Sequence, residues 1–187
     1  MTTLTKTKSV YFFGNNTSDG TGKMRTLLGG KGANLAEMTL LGIPVPPGFT
    51  ISTDECEKYY SCNKSLSSNL IEEIKQNIHR VEDALNLKFG DSKNPLLFSV
   101  RSGSRVSMPG MMDTVLNLGL NDEAVKGLAI QSGSERFAWD SYRRFIQMFS
   151  NVVLGLEHHS FEHILADKKK LNGVSEDTDL SVDALKE

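Results

Sequence analysis

Leu27-Leu28-Gly29-Gly30-Lys31-Gly32-Ala33-Asn34-Leu35 is the stretch on which the fold turns. Leu35, Met38 and Leu41 follow the two leading glycines at spacings of three, which predicts a helix from Gly29-Gly30 that carries those three side chains toward a core. Gly42 ends this helix, and Pro44, Pro46 and Pro47 forbid its continuation. A helix that starts behind glycines leaves backbone N–H groups free at its positive end, where a phosphate can bind, and Lys31 adds a full charge there. The plainer reading is a tight turn with a solvated lysine. Two familiar nucleotide loops are absent. Gly22-Lys23 is followed by Met24, with Thr17 where a P-loop needs glycine, and no Gly-x-Gly-x-x-Gly occurs.

Upstream, Val10-Tyr11-Phe12-Phe13 is a β-prone run closed by the turn signal Gly14-Asn15-Asn16, and polar residues fill the chain to Arg25. Downstream, Phe49-Thr50-Ile51 predicts a strand, and Ser52 or Thr53 the N-cap of a short helix. The clearest helix runs from about Ser67 to Leu87, with Leu70, Ile74, Ile78, Val81 and Leu85 on one face. Leu96-Leu97-Phe98-Ser99-Val100, behind Pro95, predicts a buried strand. An irregular stretch rich in Gly, Ser and Met then covers 101–114. Helices are expected again over 122–131, over 135–153 with the stripe Ala138, Tyr142, Phe145, Phe149 and Val152, and over 161–171. Residues 179–187 read as a helix just starting, so the chain looks cut rather than finished. Short strands and glycine-rich loops among four or more helices give an α+β class, helix-rich with short strands.

The 187 residues allow one domain and a fraction of a second, and 39% apolar with 24% charged residues is ordinary for a globular chain. Such a chain buries enough core to fold without metal or disulfides. Lys and Arg number 21 against 23 Asp and Glu, a net charge of −2 that argues against a nucleic-acid partner. No apolar run is long enough to span a bilayer, so no membrane partner is expected. Cys56 and Cys62 lie outside Cys-x-x-Cys spacing and read as reduced thiols. Met1-Thr2-Thr3-Leu4-Thr5-Lys6-Thr7-Lys8 has no apolar secretory core, which favours the cytoplasm; its acid-free, Thr-rich composition leaves an organelle-targeting reading open.

The second informative stretch runs from Ser99-Val100-Arg101-Ser102-Gly103 through Met108-Pro109-Gly110-Met111-Met112-Asp113-Thr114. A strand that delivers an arginine to its exposed end aims a guanidinium well at a phosphate, and the Ser/Gly segment behind it offers hydroxyls and open N–H groups to the same anion. Three methionines in five residues suit a flap over a flat apolar ligand such as a nucleobase, or else a Met-filled core corner. His159 and His163 stand four apart near Glu157 and Glu162, yet no His-Glu-x-x-His pattern forms, and a solvated helix end is the expectation. Asp140, Arg143 and Arg144 read as packing and salt-bridge residues.

Leu28 to Met38 together with Ser99 to Gly103 resemble the nucleotide-binding domain of the dikinases, and the run Ser107 to Asn121 narrows the resemblance to the pyruvate, phosphate dikinase family. Arg136 to Phe145 is similar to that family too, so the resemblance spans about Val10 to Glu187. It implies that residues 1–187 are the N-terminal part of an ATP-grasp nucleotide-binding domain, contributing half of an ATP site. It implies that Lys31 and Arg101 contact the ATP phosphates, that Gly110, Met111, Met112, Asp113 and Thr114 form a loop closing over the nucleotide, and that Met112 lies close to the adenosine. The family converts ATP, phosphate and pyruvate to AMP, diphosphate and phosphoenolpyruvate through a phosphohistidine on another domain. By resemblance, the cofactors are ATP and magnesium, the magnesium ligands, carrier histidine and pyruvate-binding barrel lie outside this chain, and no catalytic residue lies within it. The expected partners are the remaining dikinase domains in cis or in trans, and the full-length family enzyme is expected to be a homo-oligomer. The competing expectations are a stand-alone or split-enzyme ATP-binding module, a non-catalytic relic and, disfavoured by Ser107 to Thr114, phosphoenolpyruvate synthase.

Overall fold

The apolar run near the start of the chain becomes the strand around which its first half is built. The structure, a computed structural model, describes residues 8–103 and 113–187. These divide into two compact units, residues 8–86 with 102–103, and residues 87–101 with 113–187.

In the first unit the order is β1 (Val10–Gly14), β2 (Thr17–Ser18), α1 (Arg25–Leu40), β3 (Gly48–Ile51), α2 (Thr53–Ser61) and α3 (Ser68–Leu85). The strands form one antiparallel sheet in the order β2-β1-β3. Gly14 pairs with Thr17, and the two residues between them, Asn15 and Asn16, have φ of 50° and 58°. Positive φ at both central positions is the two-residue hairpin turn that asparagine favours. Every residue of β1 is buried, which an alternating strand achieves only when both faces are covered. Tyr11 packs with Leu28 and Ala33 of α1, while the Arg80 guanidinium of α3 lies 4.0 Å from the centre of the Phe12 ring. Neighbouring residues point to opposite faces, so α1 covers one side of β1 and α3 the other.

Carboxylates cap the backbone groups of β1 that the sheet leaves open. Asp19 Oδ2 accepts from the Phe12 N–H at 2.9 Å, from Arg80 at 2.7 Å and from Lys8 Nζ at 2.8 Å. Glu73 Oε2 accepts from the N–H groups of Ser9 and Val10 at 2.8 and 3.0 Å. Buried Glu55 takes a hydrogen bond from the Ser9 hydroxyl at 2.7 Å and one from Lys58 at 2.6 Å. Burial pushes the Glu55 carboxyl up, but the bonds from Lys58 and Ser9 outweigh it and hold the group below the usual range.

The buried face of α1 is not the predicted one. Met38 and Leu41 are exposed, and the helix buries Leu28, Gly29, Gly32, Ala33, Ala36 and Thr39 instead. The reason is distance. A Cβ placed on Gly32 would stand 2.7 Å from Thr50 Cγ2 of β3, so past Leu28 α1 meets the sheet through small residues and turns Met38 away. The long helix fits expectation in part: Leu70 and Val81 are buried and Ile74 and Ile78 half-buried, with Ser67 accepting from the Leu70 N–H as N-cap, but Leu85, at the far end of the expected face, is exposed.

The second unit contains β4 (Lys88–Phe89), β5 (Pro95–Leu96), β6 (Phe98–Arg101), β7 (Thr114–Leu118), α4 (Ala124–Ser132), α5 (Glu135–Val152), α6 (His158–Asn172) and α7 (Val182–Lys186). β4 and β5 pair in parallel, and β6 and β7 pair antiparallel. The single buried strand expected over 96–100 is two strands. Leu96 is buried beside β4, but Ser99 and Val100 are exposed, because β6 leaves β5 to pair with β7. Helix α5 packs against β7, α4, α6 and α7. Ser134 caps its start, Ala138 is fully buried in its stripe, and Arg136 donates to the carbonyls of Leu180 and Asp177 at 3.0 and 2.6 Å, holding down buried Leu180. Asp140 is buried and paired with both Arg143 and Arg144 at 2.8 Å, as the sequence suggested. No helix among the described residues is long and apolar enough to cross a membrane.

Burial pushes the Asp19 carboxyl up, but hydrogen bonds from Arg80, Lys8 and the Phe12 N–H overcome it and hold the group at about 2, against an ordinary 3.8. A depressed folded-state value contributes stability above the unfolded-state value and loses it as pH falls through the folded one. We therefore expect urea unfolding midpoints to drop between about pH 4 and pH 2. Asp19→Asn should be less stable at pH 7 and should lose less stability than the parent across that window; an unchanged pH profile would count against the role of Asp19.

Candidate functional site

Lys31 owes its position to a break in α1. Gly29 has φ 68° and ψ 170°, so the helix is two segments that meet there. That conformation is open to glycine and close to forbidden for residues with a Cβ. Lys31 is two residues past the break, exposed, and engaged in no side-chain hydrogen bond or ion pair among the described residues. The backbone beneath it is fixed: Leu28 and Ala33 are anchored on Tyr11, and the Gly22 N–H donates to Glu37 Oε2 at 2.9 Å, which ties the preceding loop to the same helix. The helix presents a free ammonium group beside an open glycine, Gly30, around which a Cβ would meet nothing within 4 Å.

Arg101 is the last residue of β6, exposed, and directly opposite Thr114, the first residue of β7. Residues paired across antiparallel strands share a face, so the guanidinium and the hydroxyl start from the same side of the hairpin. Asp113 precedes Thr114 and is also exposed. The other described arginines have work to do: Arg25 reaches Asn34, Arg80 reaches Asp19, Arg136 holds two carbonyls, and Arg143 and Arg144 hold Asp140. Arg101 alone among them has no side-chain hydrogen bond or ion pair. The residue is exposed, and a guanidinium with five N–H donors suits bidentate capture of a phosphate.

Of the residues predicted from sequence, the structure brings Arg101, Asp113 and Thr114 together at one end of the hairpin. Lys31 lies in the other compact unit. Gly110, Met111 and Met112 lie outside the described residues, as does Arg105. The histidines of α6 are exposed, His163 pairing with Asp167 at 3.2 Å and His158 approaching Glu162 at 3.6 Å. No group of three His, Cys, Asp or Glu among the described residues is arranged to hold a metal ion. A cleft of about 210 Å³ beside Glu55, Lys58 and Cys62, and another of about 530 Å³ beside Ile130, Trp139 and Lys186, include none of the predicted site residues. The first falls below the usual size of a small-molecule pocket. Strand β7 was not predicted, although Val115, Leu116 and Leu118 carried a β-prone signal interrupted by Asn117.

Comparison with known proteins points one way. The family described as "Pyruvate phosphate dikinase, AMP/ATP-binding domain" matches residues 25–70 and 63–151. The chain is 55% identical over 185 residues to the chloroplastic pyruvate, phosphate dikinase of Mesembryanthemum crystallinum, covering 99% of this chain and 19% of the relative. It is 54% identical over 174 residues to the pyruvate, phosphate dikinase of Rhizobium meliloti (strain 1021), covering 93% and 19%. Against that of Clostridium symbiosum it is 53% identical over 180 residues, covering 96% and 20%. The chain thus spans about one fifth of the length of these curated relatives.

The break in α1 separates two adjacent glycines sharply. Gly29→Ala forces a Cβ into a backbone conformation that costs about 1–3 kcal/mol. Gly30→Ala meets open space and should be neutral or stabilising by up to about 1 kcal/mol. Urea denaturation of both variants checks this, and equal effects at the two positions would rule out the break as described.

Proposed function

The chain belongs to the pyruvate phosphate dikinase family through its AMP/ATP-binding domain, and from that premise we propose that it supplies one part of an ATP site in which Lys31 and Arg101 hold phosphates. The observation that carries this reading is Arg101, an exposed strand-end guanidinium left unpaired beside Thr114 while the other described arginines are engaged. We assign residues 1–187 to the N-terminal part of an ATP-grasp domain, with Gly110 to Thr114 closing over the nucleotide and Met112 near the adenosine.

In this reading the chain contributes electrostatics rather than covalent chemistry. Transfer of the βγ-diphosphoryl group of ATP to a histidine elsewhere breaks the bond between the α-phosphorus bridging oxygen and the β-phosphorus, and leaves AMP. Negative charge grows on that bridging oxygen and redistributes over the transferred group. Preorganised cations stabilise this charge without reorganising at the moment of transfer. Lys31, a point charge on a rigid helix, suits one phosphate; Arg101, a planar fork, suits two oxygens of another. In this reading the ion that accompanies ATP in the family would take its protein ligands outside this chain. The remaining dikinase domains, joined in cis or in trans, would supply the carrier histidine and the pyruvate site, and the assembled enzyme would be a homo-oligomer.

Complementation tests the proposal. A dikinase deleted for this region should regain phosphoenolpyruvate formation when this polypeptide is added. Lys31→Ala and Arg101→Ala should each lower the restored rate by about 10- to 100-fold, since a charge-assisted contact is worth roughly 1.5–3 kcal/mol. Restoration that both variants leave intact would overturn the assigned roles. The chain by itself should bind ATP no tighter than millimolar, and a micromolar dissociation constant by calorimetry would contradict a partial site.

A further inference from the structure

Strands β6 and β7 do not hold one register. Phe98 lies opposite Leu118, whereas Val100 lies opposite Val115 and Arg101 opposite Thr114. Two steps along β6 are matched by three along β7, so β7 carries an extra residue across from Ser99. Asn117 sits in that interval with φ 59°, in the left-handed region that asparagine tolerates and β-branched residues avoid. An inserted residue of this kind is a β-bulge. The neighbouring Leu116 N–H finds its acceptor outside the ladder, donating to Met148 Sδ of α5 at 3.2 Å, so the bulged segment is held by the helix beside it.

The bulge decides which side chain faces Arg101. Without it, β7 would continue in the register set by Phe98 and Leu118. Asn117 would then pair with Ser99, Leu116 with Val100 and Val115 with Arg101. Because a register slip of one residue moves each side chain to the other face, Thr114 would leave Arg101 and an apolar valine would take its place. We propose that Asn117 is a positioning residue: its left-handed conformation places the Thr114 hydroxyl directly across from the Arg101 guanidinium, so that one donor pair meets the anion together. This rests on the phosphate-binding role proposed for Arg101 and adds the device that assembles it.

Three variants of the 187-residue chain read the register directly through cross-strand nuclear Overhauser contacts of Arg101. Asn117→Val favours an extended residue and should move the Arg101 contact from Thr114 to Val115. Asn117→Gly keeps the left-handed conformation and should keep Thr114. Deleting Asn117 removes the extra residue, regularises the ladder and should also keep Thr114, a rescue that simple damage to the hairpin would not give. If Asn117→Val does not fold, Asn117→Ala is read instead and should show both contacts. Titration with ATP, followed by amide shifts, should give an affinity about tenfold weaker for Asn117→Val, matching Thr114→Val, and near-parental values for the Gly and deletion variants. An Arg101–Thr114 contact retained unchanged in Asn117→Val, or in Asn117→Ala where the valine variant does not fold, overturns the inference. An Arg101→Ala chain that binds ATP as well as the parent overturns the phosphate role instead, and leaves the register measurement to decide the bulge on its own.

Discussion

The carboxylate of Asp19 ties β1 to a helical residue more than sixty positions further along the chain. One oxygen accepts from the backbone of β1, from Arg80 on α3 and from Lys8 ahead of the strand. The same Arg80 lies over the Phe12 ring, so a cation neutralised by Asp19 also covers an apolar side chain of the central strand. A partly buried carboxylate costs free energy unless its oxygens are occupied, and here the donors outweigh the burial. With β1 capped in this way, α3 is fixed on one face of the strand and the other face remains for α1.

That second face explains how Lys31 is presented. Tyr11 packs with Leu28 and Ala33, and the contact of Gly32 with Thr50 brings the helix close to the sheet. The helix can approach so closely only because its inward residues past Leu28 are small. Gly29 breaks it one step before Gly30, and Lys31 emerges on the solvent side. In the second unit Arg101 is presented by different means: an antiparallel hairpin whose β7 strand packs on α5, with a thioether accepting the Leu116 N–H. A helix start and a strand end thus arrive separately at the same chemistry, a free cation on a fixed backbone.

Much of this was legible in the residues. Gly14-Asn15-Asn16 announced its turn, Ser52 the start of α2, and the apolar repeat of α3 the buried positions Leu70 and Val81, because each depends on neighbours within a turn or two. Lys31 and Arg101 were legible as candidates because glycine before a helix and arginine after an apolar run are local signals. The resemblance to dikinases agrees with the family match. The buried face of α1 was not legible, since a three-residue spacing of Leu35, Met38 and Leu41 looks like a core stripe until Thr50 is placed beside Gly32. Nor was the division of residues 95–101 into two strands, because apolar character does not say which partner a strand will pair with.

The sequence by itself determined the α+β class, most helix positions, the family and the identity of the candidate phosphate-binding side chains. These follow from short-range periodicity, from the special backbone freedom of glycine and asparagine, and from residue runs specific enough to be recognised. Only the tertiary structure decided that Asp19 serves Phe12, Arg80 and Lys8 at once, that α1 docks by its glycines and alanines, and that Thr114 stands across from Arg101. Each of these depends on close approach between residues distant in the chain, and on a register that shifts by one where a single asparagine turns left-handed. Pattern along a chain records which residues prefer to be buried or paired; it does not record the partner or the distance, and those are set when the elements pack.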